Sequence, residues 1–109
     1  MTTPSLLSAI DTTVQELRLE QERDAFIHKL AAIVSAIGTI PDSLPSRFTP
    51  DDMARLRALA DETVEAIERR IDTGRDEEAA RQRLAGTVYE LRKRMEAVEL
   101  WFRRSEPRT

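Results

Sequence analysis

The apolar positions between Arg75 and Arg104 are the most regular in the chain. Leu84, Val88, Leu91, Met95, Val98 and Phe102 follow one another at steps of 4, 3, 4, 3 and 4. Those steps draw a continuous apolar stripe along one side of a helix, the pattern of a helix packed lengthwise against others. The positions between are mainly Arg, Lys, Glu, Gln and Ala, which favour helix, with Gly86 and Thr87 as the exceptions. The pattern predicts a helix over about 76–104, with Asp76, Glu77 and Glu78 in its first turn.

A second stripe, Met53, Leu56, Ala60, Val64, Ile67 and Ile71, predicts a helix over 50–73. Its start is well marked. Thr49 is placed to cap, Pro50 stands at the first helical position, and Asp51 and Asp52 suit the positive end of the helix dipole. Phe48 and Met53 flank the cap at the spacing of a hydrophobic staple. Asp72-Thr73-Gly74 ends the helix, with Gly74 supplying a left-handed residue.

The N-terminal third predicts a helix over about 4–37, started by Thr3-Pro4 and stopped at Gly38. It carries two stripes: Leu7, Ile10, Val14 and Leu17, then Ile27, Leu30, Val34 and Ile37. They are out of register, because Leu17 and Ile27 stand ten residues apart with polar Glu20 to Asp24 between them. Either the helix kinks there or its halves face different neighbours. Residues 39–48 contain Pro41 and Pro45 and read as a connector pinned by Ile40, Leu44 and Phe48.

These elements predict an all-α, antiparallel three-helix bundle forming one domain over residues 1–109. At about 1.5 Å per residue the helices would be roughly 52, 36 and 43 Å long. The short turn at Gly74 makes the last two a hairpin, with Trp101 and Phe102 reaching Phe48 and Leu44. The first helix, antiparallel to the second, would overshoot the hairpin tip by about 15 Å. Leu6, Leu7 and Ile10 would then lack cover, and with Val14, Leu17, Trp101 and Phe102 they form the expected interface for a protein partner.

Composition narrows the function. Charged residues make up 34% of the chain, aromatics 5%, and the net charge is −3. Acidic and basic residues alternate without a dense basic patch, which argues against nucleic-acid binding. There is no cysteine, which removes disulfides and thiolate chemistry. No run of about 18 apolar residues offers a membrane span, and a cytoplasmic setting is expected. Of 17 basic residues only Lys29 and Lys93 are lysine, a bias from which a GC-rich bacterial coding sequence is expected.

Candidate chemistry is sparse. His28 is the only histidine, and Glu16, Glu20, Asp24 and His28 form one stripe at steps of four. A straight stripe brings only neighbouring pairs together, so no metal site is expected, nor any cofactor. His28, Leu30, Ile37 and Gly38 resemble part of the histidine phosphotransfer motif, in which a phosphorylatable histidine sits on a bundle helix. That resemblance implies His28 as phosphoacceptor, although Ala31 and Ala32 stand where the motif has Lys and Gly. The order of a long helix, a loop and two shorter helices also resembles the all-helical chorismate mutases, which grip a dicarboxylate with Arg and Lys. Here Arg55, Arg57, Arg69, Arg70, Arg81, Arg83, Arg92 and Arg94 fall beside acidic residues at helical pair spacings, and none is expected to interrupt an apolar seam. The expectation is therefore a non-enzymatic interaction module, a homodimer or a small accessory subunit, with phosphotransfer through His28 as the alternative.

Overall fold

The computed structural model describes residues 3–43 and 48–105. They form five helices and no strand: α1 (Thr3–Leu19), α2 (Arg23–Gly38), α3 (Ile40–Ser43), α4 (Pro50–Asp72) and α5 (Glu78–Ser105). The all-α class stands, and the three-helix count is corrected. The first expected helix is two helices, and a short α3 forms inside the expected loop.

The break between α1 and α2 has a local cause. Glu20 N closes α1 on the Leu17 carbonyl at 3.1 Å. The Glu20 carboxylate accepts from Glu22 N, and the Glu22 carboxylate caps α2 by accepting from Asp24 N, both at 3.2 Å. Glu22 itself is extended, with φ −85° and ψ 131°. Lys29 reaches back to Glu20 at 2.5 Å. These polar side chains satisfy backbone groups that a continuous helix would pair internally, so the turn needs neither glycine nor proline.

The break makes α1 and α2 a hairpin, and the turn at 73–77 makes α4 and α5 another. The hairpins lie side by side, with α1 on α4 and α2 on α5. Asp11 pairs with Arg55 and Arg18 with Glu62, each at 3.2 Å. Both partners advance by seven residues, so α1 runs parallel to α4. By connectivity α2 then runs parallel to α5 and opposite to α4. The expected antiparallel docking of the first helix on the second is therefore corrected: its α1 half lies parallel to α4, and its α2 half, though opposite in direction, packs on α1 and α5. The four long helices form one rod of 51 × 22 × 18 Å, each packed mainly against two neighbours.

Two-sided contact explains the core. Leu84, Leu91 and Val98 of α5 are buried, while Val88, Met95 and Phe102 are partly buried beside them. On α4 the expected Met53, Leu56, Ala60 and Ile67 are buried, together with a second line of Leu59, Thr63, Ala66 and Arg70. Arg70 corrects the expectation that no basic residue enters a seam. On α2 it is Phe26 and Ile33 that join Leu30, Val34 and Ile37 inside, while Ile27 is only partly covered.

Element ends follow the capping signals. Thr49 and Asp52 form a reciprocal capping box at 3.0 Å in each direction, with Pro50 at the start of α4. Gly74 has φ 69°, a left-handed conformation that glycine adopts without penalty. Pro41 is accommodated in the first turn of α3, where no intrahelical donor is needed. Helix α5 starts at Glu78 rather than at residue 76, because Asp76 is engaged elsewhere.

Candidate functional site

The expected interface on the first helix is core. Leu7 and Val14 are 0% exposed, Ile10 2% and Leu17 0%, and Leu6 is partly buried against them. These residues would be exposed only on a long helix overshooting the hairpin. With the chain turning at Glu20, α1 has no overhang, and α2 and α4 cover its stripe.

At the opposite end from the two tight turns, Phe48 is wedged against both expected aromatics. Its ring lies 5.7 Å from Trp101 and 5.9 Å from Phe102 between centroids, at 61° and 75°. These edge-on arrangements are favoured by the ring quadrupoles. Trp101 and Phe102 are each partly exposed, so they close the bundle end and still show one side to solvent. The expected contact with Leu44 lies outside the described residues.

His28 is exposed on α2. The turn divides the expected acidic stripe: Glu16 stays on α1, Glu20 is held by Lys29, and only Asp24 shares the helix with His28. Glu20 is held below the ordinary carboxylate range chiefly by its hydrogen bond from Lys29, and Lys29 is raised by the same contact. Among the described residues no group of three or more His, Asp or Glu could hold a metal ion. A groove of about 370 Å³ lies between α2 and α5. Leu30, Val34 and Leu84 line it with Ser35, Thr39, Arg83 and Arg94. The Arg94 side chain lies over Gly38, where an added Cβ would stand 3.2 Å from its guanidinium. His28 precedes Ala31 and Ser35 of this groove by about one and two helical turns.

The buried polar centre is Arg70. Its guanidinium donates to both Asp76 carboxylate oxygens, at 2.8 and 2.9 Å, and to the Gln21 carbonyl at 2.6 Å. It also lies 5.5 Å from the Phe26 ring centroid. Asp76 is held below the ordinary carboxylate range, first by the hydrogen bonds from Arg70 and against the opposing effect of burial. Arg70 is raised by the same bonds. The group ties one hairpin turn to the other. Other arginines face carboxylates: Arg55 with Asp11, Arg57 with Glu99, Arg69 with Glu65 and Arg94 with Glu90.

Every buried side-chain polar atom among the described residues has a hydrogen-bond partner. Chemistry with an outside molecule is thus directed to the surface. Leu19 is 79% exposed, Tyr89 64% and Leu100 48%. The last two fall outside the α5 seam. Their spacing alone places them together, 11 residues or three helical turns apart, on the side away from Leu91. Among the described residues no helix is long and apolar enough to cross a membrane. The chain matches no known family model, no curated protein and no solved structure.

Proposed function

We propose that the protein is a non-enzymatic protein-interaction module that works as a homodimer or as a small accessory subunit. One observation carries the reading. Among the described residues every buried side-chain polar atom is satisfied within the chain, while Tyr89 and Leu100 stand in solvent along one helix. Large apolar side chains aligned on an outer face gain from burial against another protein. The experiment is light scattering of the full chain across a wide concentration range, paired with affinity capture from its host using wild-type and Tyr89→Glu/Leu100→Glu baits. A dimer, or a partner retained by the first bait and lost by the second, supports the reading. A monomer that binds nothing sinks it.

A second reading is histidine phosphotransfer, favoured by the exposure of His28 on the second long helix of the bundle, close to the α2–α5 groove. A phosphodonor kinase should then leave acid-labile phosphate on wild type and none on His28→Gln. Equal labelling of both, or of neither, removes it.

A further inference from the structure

The outward face of α5 has a charge order as well as apolar residues. Glu78, Gln82, Ala85, Tyr89, Lys93, Glu96, Leu100 and Arg104 follow one another at steps of three and four, and all are exposed. The face is acidic at its start and basic at its end. Tyr89 and Leu100 are its large apolar members, and Lys93 sits 5.4 Å from the Tyr89 ring centroid. Gly86, on the same side, has nothing within 4 Å of an added Cβ.

Resting on the interaction reading, we propose that a second copy of this chain packs on that face, with the two α5 helices antiparallel about a twofold axis level with Leu91. In this register Glu78 meets Arg104 of the second copy, and by symmetry Arg104 meets its Glu78. Tyr89 meets Lys93, extending the cation–aromatic contact across the interface. Leu100 falls beside Gln82 and the small Ala85 and Gly86, where there is room for it. Every charge at the ends of the face finds its opposite, and a parallel pairing would instead set Glu78 on Glu78 and Arg104 on Arg104. Among the described residues neither Glu78 nor Arg104 forms an ion pair within the chain.

Acidic residues at a helix start and basic ones at its end also suit the helix dipole, so the test separates the two causes. Glu78→Arg alone and Arg104→Glu alone should each weaken self-association by about tenfold, from two exchanged contacts per dimer. The double exchange should restore it, although for the dipole it is the worst of the three. Tyr89→Glu/Leu100→Glu should reduce the mass from twice 12.4 kDa to 12.4 kDa with circular dichroism unchanged. Because the chain has no cysteine, a mixture of Gln82→Cys and Leu100→Cys chains should form the mixed disulfide preferentially under mild oxidation.

Failure of the double exchange to rescue, or preferential self-pairing of each cysteine variant, overturns the register. A dimer indifferent to Tyr89 and Leu100 overturns this face and leaves the interaction reading standing on another. A wild-type monomer at all concentrations overturns the dimer, and if it also captures nothing the reading falls with it.

Discussion

Arg70 grips Asp76 through two hydrogen bonds of 2.8 and 2.9 Å, although the residues stand six apart across the turn between α4 and α5. The third contact, to the Gln21 carbonyl, lies in the other turn. One guanidinium thus holds both hairpins at the same end of the rod, and the side chains of both members of its ion pair with Asp76 are under a tenth exposed.

Removing one partner of a buried pair leaves the other charge uncompensated. Asp76→Ala should therefore cost about 3 kcal/mol. Replacing both, as Arg70→Met with Asp76→Leu, should cost much less than Asp76→Ala alone, because no charge is then stranded. Urea unfolding of the wild type and the two variants checks the order. Equal losses would show that the charges are solvated rather than clamped.

The same pair fixes a pH dependence. In the folded protein Asp76 is held below its ordinary value of 3.8, so the folded form takes up that proton less readily than the unfolded chain. The resulting stabilisation is complete above the unfolded value and is lost as pH falls through the lower folded one. Glu20, held down by Lys29, acts in the same direction on a more exposed site. Wild type should lose stability steeply below about pH 4. Asp76→Asn should begin weaker and lose less over that window, measured by chemical unfolding at successive pH values.

On α1, Leu7→Ala should cost about 3 kcal/mol, the usual range for truncating a buried leucine, and Ile10→Glu should prevent folding at ordinary temperature. Both residues are almost fully covered. Thermal unfolding decides the matter. Retention of the wild-type midpoint by either variant would restore α1 as an exposed surface.

That stripe also shows where sequence reading stopped. The 4-3-4 seam of α5 and the Thr49-Pro50 start of α4 are local patterns, and both elements form where the pattern puts them. The break at Glu20–Glu22 was signalled only by the ten-residue gap between Leu17 and Ile27. Its cause is a set of side-chain caps among residues that are good helix formers, and propensity is blind to them. Arg70 and Asp76 each look like ordinary surface charges, since their burial depends on Gln21 and Phe26, about fifty residues away in sequence. Of the candidate surface, the spacing of Tyr89 and Leu100 already puts them on one side of α5, and the two neighbours of α5 then show that this side faces outward.

Gly86 offers the last test, because it lies in the middle of α5 where glycine is unfavourable. An added Cβ there has nothing within 4 Å to meet, and the residue is exposed. Within the isolated fold Gly86→Ala should therefore stabilise by about 1 kcal/mol through helix propensity alone, raising the unfolding midpoint by about 4 °C. The measurement should be made in the Tyr89→Glu/Leu100→Glu background, where the outer face is unoccupied and only the intrachain effect is read. A gain there that shrinks or reverses in the otherwise wild-type chain would place a close neighbour over Gly86. The same gain in both backgrounds would mean that the second copy stands far enough off to admit a methyl group, and no gain in either would contradict the open space around Gly86.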